Sequence, residues 1–241
     1  MNQRLFDTLR KIGNLPLIRL IKPTVSKLFD PYGEKKRNKL LHENGIRILD
    51  DFNAVMSRSG INYSLIFGTL LGAVREHGFI KHELDIDVAV WKETDHKYIQ
   101  TQLISSGYTL KSRYEVDNGN FGREETYVKD GVSIDIFYFY PYNDTLAYTI
   151  VLVPFDGYDT FEESIRSKGG LMPIQLILPF SQKTKTASFH NLSLPIIEND
   201  IEFLEARYGE NWRIPDPTFV YPKMGDAKCA YRSDKLAIKI A

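Results

Sequence analysis

The 241-residue sequence has little cysteine, no long apolar run and no net charge. Because Cys229 is the only cysteine, no disulfide can form within the chain, and a zinc site built from several thiolates is excluded. No stretch of 18 apolar residues occurs, so we expect no transmembrane helix. Basic residues interrupt the first 20 positions, which argues against a signal peptide. We therefore expect a cytoplasmic protein.

The charge balance is even, with 31 basic and 31 acidic residues. A net charge of zero gives no general attraction to a polyanion, so we expect no nucleic-acid partner. Apolar residues make up 43% of the chain and aromatic residues 12%, which is enough to build a packed core.

The N-terminal segment is basic and contains no acid between Thr8 and Phe29. Its apolar and basic residues interleave as in a helix lying on an anionic membrane, although Pro16 and Pro23 would divide such a helix. We predict a basic helical arm over residues 1–34. Two interpretations of it are open: an arm packed on the core of a domain formed by residues 35–241, which the pattern favours, and peripheral contact of residues 9–29 with the inner face of the membrane.

The remaining pattern alternates between helix and strand, which is typical of an α+β fold with a mixed sheet flanked by helices. An Asp-Gly pair at Asp130 and Gly131 predicts a hairpin. We predict helices over Lys35–Ser59, Leu70–Glu76, Thr94–Ser105 and Asp200–Tyr208, and strands over Tyr63–Phe67, Asp85–Trp91, Glu124–Lys129 and Val132–Tyr140.

Asp85 and Asp87 are two residues apart in a predicted strand, so that their side chains point to the same face. Their Cα atoms would be about 7 Å apart, a spacing at which two carboxylates can share a divalent cation. The alternative is an exposed strand face with solvated acids.

Gly68 and Thr69 form a predicted turn between a strand and a helix that contains Arg75. The free N–H groups of a helix N-terminus attract phosphate, and Gly68 allows a close approach to the backbone. Arg75 could bind a phosphate oxygen with its guanidinium. The alternative is an ordinary turn that Thr69 caps.

Asp135 is flanked by apolar residues in a later predicted strand. Burying a lone carboxylate costs free energy unless it is paired or bound to a cation. Asp135 is therefore a third candidate acid, the alternative being a position on the solvent face of its strand.

Together these three segments resemble the nucleotidyltransferase superfamily, in which a Gly-Ser or Gly-Thr turn precedes a strand with paired acids and a third acid lies on a neighbouring strand. The sequence is similar above all to the LicD family, which includes the fukutin-related proteins. The segments that carry this resemblance are Gly68–Arg75, Gly78–Ile80, Asp85–Val88, Asp135–Phe137 and the C-terminal Leu204–Pro215.

One difference from the family pattern precedes the paired acids. The family commonly has a run of three acids before the Ile, whereas this sequence has Glu83, Leu84 and Asp85. We expect Leu84 to point away from the paired acids, which leaves the metal site intact. A role of the earlier acids in orienting an acceptor or a second metal is left open, and His82 is a further candidate for substrate contact.

The resemblance implies a nucleotidyltransferase-like catalytic domain over residues 35–241 with N- and C-terminal helical additions. It implies transfer of a phospho-alcohol, such as phosphocholine or phosphoethanolamine, from a CDP-linked donor to a hydroxyl of a glycan or glycolipid acceptor, with release of CMP. Asp85 and Asp87 would hold Mg²⁺ or Mn²⁺, and Asp135 would complete the metal shell or act as the base.

The same resemblance assigns the donor's diphosphate to Gly68, Thr69 and Arg75. Three alternatives remain open. A nucleotidyltransferase would add NMP to a small molecule or sugar, a polymerase-like enzyme would act on nucleic acid, and a non-catalytic scaffold would only bind nucleotides.

Overall fold

A computed structural model describes residues 31–216 and 228–241. Most of the predicted basic arm, residues 1–30, lies outside the described residues. The described part contains five helices, none of which is both long and apolar enough to span a membrane. They are α1 (Pro31–Arg58), α2 (Phe67–Arg75), α3 (His96–Ser105), α4 (Phe161–Lys168) and α5 (Asp200–Tyr208).

The described residues also form eleven strands that join into one mixed sheet, so the fold is α+β as predicted. The strands are β1 (Ser64–Leu65), β2 (Ile86–Trp91), β3 (Thr109–Val116), β4 (Gly122–Lys129), β5 (Val132–Pro141), β6 (Leu146–Val153), β7 (Met172–Pro179), β8 (Thr184–Phe189), β9 (Leu192–Ile197), β10 (Lys228–Tyr231) and β11 (Ala237–Lys239).

The long strand β5 is the branch point of the sheet. The main path runs in the order β10-β7-β6-β5-β2-β1-β9-β8, and β4, β3 and β11 continue from β5 as a side branch. Strand β2 pairs with β5 in parallel, and β4 pairs with β5 through the predicted Asp-Gly hairpin. Strand β5 therefore has β2 on one edge and β4 on the other over its N-terminal part.

Helix α1 agrees with the predicted amphipathic helix, although it begins at Pro31. Leu41, Ile48, Leu49, Phe52 and Met56 are fully buried at helical spacing. Burial of such a stripe is the main source of stability for a helix of this kind.

The two faces of the sheet are covered by different helices. Phe67 of α2 contacts the ring of Phe137 at 5.0 Å, and Phe203 of α5 lies 6.4 Å from the ring of Phe139. Helix α3 covers the opposite face, where Gln100 accepts a hydrogen bond from Arg113 of β3.

The predicted turn at Gly68 and Thr69 is wrong, because α2 already begins at Phe67 and both residues lie in its first turn. The preceding strand is shorter than predicted and covers only Ser64 and Leu65. Phe67 has a φ of 45°, a left-handed conformation that is strained for a bulky residue. Its ring contacts with Phe137 and Phe203 hold it there.

Consecutive glutamates in β4 point to opposite faces of the sheet. Glu125 is fully buried and forms an ion pair with Arg113, while Tyr127 and Tyr138 donate hydrogen bonds to its other oxygen. A buried carboxylate that has these partners is satisfied, but it would become costly if the cation were lost.

We predict that Arg113→Met lowers the free energy of unfolding by about 3 to 5 kcal/mol, because it leaves the Glu125 carboxylate buried without its cation. The matched control is Arg47→Met. Arg47 pairs with Asp130, and both side chains are more than half exposed. We expect this control to change stability by less than about 1 kcal/mol. Urea unfolding measures both, and equal effects would contradict the prediction.

Candidate active site

A row of side chains crosses the sheet on the face that α2 and α5 cover. Asp87 of β2 is the register partner of Asp135 of β5, and Asp135 is in turn the partner of Thr126 of β4. Residues that pair across neighbouring strands point to the same face, with strands about 4.8 Å apart. The structure thus brings the predicted acids Asp87 and Asp135 side by side.

Glu83, Asp85 and Asp87 form the closest cluster of acids. One carboxylate oxygen from each lies within 4.8 Å of the other two. Strand β2 begins at Ile86, so Asp85 precedes the strand and does not lie within it as predicted. Leu84 likewise lies outside the strand, so strand alternation does not set its direction. Glu83 was not predicted as a metal acid, although it occupies the position of the first acid in the family's acid run.

Gly68 is required by the position of Glu83. A Cβ atom at Gly68 would lie 2.2 Å from one carboxylate oxygen of Glu83 and 2.6 Å from the other. Glu83 is only 9% exposed, and the backbone of its loop is fixed by Asn38, which donates to the carbonyl oxygen of Glu83 at 2.8 Å. Any side chain at position 68 would therefore displace Glu83 from the acid cluster. The predicted phosphate contact of Gly68 stays a prediction.

Thr69 connects α2 to the acid strand. Its Oγ1 accepts a hydrogen bond from the backbone N–H of Asp87 at 2.9 Å, and the residue is fully buried. Thr69 does not cap the helix, because the N-cap position is Ile66, which has no capping side-chain bond. The start of α2 thus keeps N–H groups without a side-chain cap, as an anion site requires.

Arg75, at the other end of α2, already has protein partners. Its guanidinium donates to the side chain of Glu76 at 2.9 Å and to the carbonyl oxygen of Trp212 at 3.0 Å. These bonds tie α2 to the segment after α5. The predicted contact of Arg75 with phosphate remains a prediction, and a phosphate would have to compete with these two acceptors.

Burial and mutual repulsion raise the pKa values of the acids. Burial, followed by the charge of Asp85, raises the pKa of Glu83 to about 8 and that of Asp135 to about 7. The pKa of Asp87 is raised well above its usual range by burial and by Asp85, Glu83 and Asp135. The same causes act on Glu124, whose pKa burial and Asp135 raise to about 8.

Two residues beside this cluster were not predicted. Glu124 of β4 pairs with Phe137 and therefore shares the face of Asp135. Tyr208, at the end of α5, has its pKa raised by burial and, among nearby charges, by Glu83 and Asp87. The alternation of β4 could have indicated Glu124, whereas the position of Tyr208 depends on packing of α5 that no local pattern shows.

The cluster fits a hard divalent cation. Its donors are carboxylate oxygens, which Mg²⁺ and Mn²⁺ prefer over softer ligands. Oε2 of Glu83 and Oδ1 of Asp135 are buried and have no hydrogen-bond partner within residues 31–216 and 228–241. Buried oxygens of this kind need a donor or a cation, and Glu83, Asp85 and Asp87 together could hold one.

Comparison with known proteins shows that the segment carrying these residues is similar to one protein family. Residues 60–167 match the family described as LicD/FKTN/FKRP, nucleotidyltransferase domain. Over 54 residues the chain is 43% identical to the lipopolysaccharide cholinephosphotransferase LicD of Haemophilus influenzae, an alignment that covers 22% of this chain and 20% of that protein. Over 170 residues it is 23% identical to human ribitol-5-phosphate transferase FKTN, covering 68% of this chain and 32% of the relative.

The FKTN protein of Macaca fascicularis is 24% identical over the same number of residues. The chain thus matches about a fifth to a third of the length of these relatives. The family match includes every predicted site residue from Gly68 to Asp135, together with Glu83 and Glu124. Residues 60–167 therefore match the nucleotidyltransferase domain of the LicD family, with homology to the LicD and FKTN proteins.

Proposed function

We propose that this protein is a metal-dependent phosphotransferase that moves a phospho-alcohol from a CDP-linked donor to a hydroxyl of a glycan or glycolipid, releasing CMP. The observation that carries the proposal is the cluster of Glu83, Asp85 and Asp87 beside Asp135, within a LicD-family domain. The named activities of the relatives, cholinephosphotransferase and ribitol-5-phosphate transferase, support transfer of a phosphorylated alcohol.

Glu83, Asp85 and Asp87 would hold Mg²⁺ or Mn²⁺. Such a cation neutralises charge on the phosphates of the donor and on the leaving nucleotide. The protein's own contribution is the fixed position of the carboxylates, which Thr69, Gly68 and Asn38 maintain through the contacts described above. A ligand set fixed before the metal binds loses little free energy to reorganisation.

Asp135 is proposed to accept the proton of the attacking hydroxyl. It lies beside Asp87 but outside the group of three carboxylates, and its pKa of about 7 suits proton transfer at neutral pH. A cation bound by its neighbours would lower that pKa and favour the form that accepts a proton. Service as a fourth metal ligand is the alternative role.

A nucleotidyltransferase is the second candidate function, because the acids and the uncapped start of α2 suit attack at either phosphorus of the donor. In a nucleotidyltransferase, the nucleotide's own phosphorus is attacked and NMP stays on the product. In the proposed phosphotransferase, the phosphorus that bears the alcohol is attacked and CMP leaves.

We predict that incubation with CDP-choline, CDP-ethanolamine or CDP-ribitol, Mg²⁺ and a hexose-containing acceptor gives free CMP. Mass spectrometry should show an acceptor heavier by one phospho-alcohol. Detection of an acceptor that carries CMP would instead establish the nucleotidyltransferase. Absence of CMP release with every donor would contradict both activities.

We predict that Asp85→Asn and Asp87→Asn each reduce turnover by at least about a hundredfold, because each removes a ligand whose cation contributes several kcal/mol to charge stabilisation. The fold should persist, with a melting temperature equal to or above that of the metal-free wild type, since one repelling charge is lost. The control is Asp144→Asn, an exposed acid in the turn between β5 and β6. Turnover and thermal melting, each with and without Mg²⁺, are measured together, and a variant at either position with wild-type turnover would refute the assignment.

We predict that the metal-free protein loses stability as pH rises from about 5 to about 8. The folded-state pKa values of Glu83 and Asp135, about 8 and about 7, lie above those of unfolded carboxyls, so the folded state binds more protons across this window. Unfolding then becomes more favourable with rising pH, by on the order of a few kcal/mol. Added Mg²⁺ should cancel the loss. Urea midpoints that rise with pH in the absence of metal would be inconsistent with this.

A further inference from the structure

Lys111 lies at an irregularity of strand β3 beside the acid row. Leu110 pairs with Tyr127 and Ser112 pairs with Thr126, so Lys111 is an extra residue between two consecutive positions of β4. Such a bulge changes the direction of a side chain and recurs beside active sites. Because Thr126 is the partner of Asp135, the bulge lies at the end of the row that runs through Asp135 to Asp87.

Arg37 of α1 lies near the same acids. Its neighbour Asn38 donates to the carbonyl oxygens of Lys81 and Glu83, at 3.0 and 2.8 Å, which places this part of α1 against the loop that carries Glu83. Burial raises the pKa values of Asp85 and Asp135, and the positive charges of Arg37 and Lys111 oppose that rise at both acids. Both cations are therefore within electrostatic range of the cluster.

Neither cation forms an ion pair with an acid of the described ranges, although other basic residues near acids do so, such as Lys129 with Asp51 and Lys185 with Asp200. Lys111 is exposed, and Arg37 is half-buried. Both cations thus lie near the acid cluster without an ion pair to any described acid. Their charges are therefore available to the anionic phosphates of a donor held at the cluster.

We propose that Lys111 and Arg37 bind the diphosphate of the donor from the side opposite the carboxylate cluster. This inference rests on the proposed function and adds binding residues to it. The charges then alternate from the acids to the metal, to the phosphates and to the two basic side chains. Lys111 reaches across on a flexible stem and acts as a point charge, whereas the guanidinium of Arg37 can bind two oxygens at once.

The experiment uses the full chain and two probes, Mg²⁺ alone and inorganic pyrophosphate with Mg²⁺, in titration calorimetry. The variants are Lys111→Gln, Lys111→Arg and Arg37→Gln. The matched control is Lys97→Gln, an exposed lysine on α3, which covers the opposite face of the sheet. Thermal melting verifies that each variant is folded.

We expect Lys111→Gln and Arg37→Gln each to weaken pyrophosphate binding at least about tenfold, the loss typical of a hydrogen bond to a charged group. Affinity for Mg²⁺ alone should stay equal or increase, because a repelling charge near the metal is removed. Lys111→Arg should keep most of the affinity, and Lys97→Gln should match the wild type. A purely structural role would instead weaken both probes together.

Pyrophosphate binding that is unchanged in both glutamine variants would overturn the inference, as would an equal loss of Mg²⁺ binding. If the wild type releases CMP from CDP-linked donors while the variants bind pyrophosphate normally, only this inference fails. If the wild type binds no pyrophosphate with Mg²⁺ and releases no CMP, the proposed function fails and the inference fails with it.

Discussion

Repulsion among the carboxylates is the constraint on which the arrangement of this domain depends. Glu83, Asp85 and Asp87 lie within 4.8 Å of one another, and Asp135 stands next to Asp87. Like charges at such distances raise one another's pKa values and would drive the loop and the strand apart. The backbone of Asp87 is held by Thr69, and the loop of Glu83 is held by Asn38. The scaffold therefore has to hold the acids together before any ligand binds.

The sheet supplies the rigidity that this requires. Strand β5 pairs with β2 and β4 at once, so Asp135 is fixed from both edges. On the opposite face, Glu125 and Arg113 form a satisfied buried ion pair. Strand β4 thus carries an acid with raised pKa on one face and a paired acid on the other. Strain is also present at the site, since Phe67 adopts a φ of 45° one residue before Gly68. Strained backbone of this kind persists only where surrounding packing determines it.

Local patterns predicted the elements whose burial follows a simple period. Helix α1 and the hairpin at Asp130 are examples, and the alternation of Asp87 with buried Ile86 and Val88 gave the face of the acids. Strand β3 was not predicted, because its buried positions include the charged Arg113. A half-buried strand is usually recognised by apolar residues at its buried positions and polar residues, such as Lys111, at its exposed ones. Strand β7 was not predicted, because nearly all its residues are buried and apolar and polar residues therefore do not alternate along it. The position of Glu83 depends on an irregular loop packed against Gly68, which periodicity does not describe.

The family match ends at residue 167, yet the surroundings of the site extend beyond it. Arg75 donates to the carbonyl oxygen of Trp212, and Arg207 of α5 lies over the ring of Phe67 at 5.7 Å. Tyr208 follows Arg207 and lies close enough to Glu83 and Asp87 for their charges to raise its pKa, in addition to the larger effect of burial. The C-terminal segment therefore encloses the start of α2 and the acids from one side, while Lys111 and Arg37 stand near the same acids. A ligand bound between the C-terminal segment and the two basic side chains would contact residues from α1, α2, β3 and α5. The selectivity for that ligand would therefore depend on all of these elements and not on the acids alone.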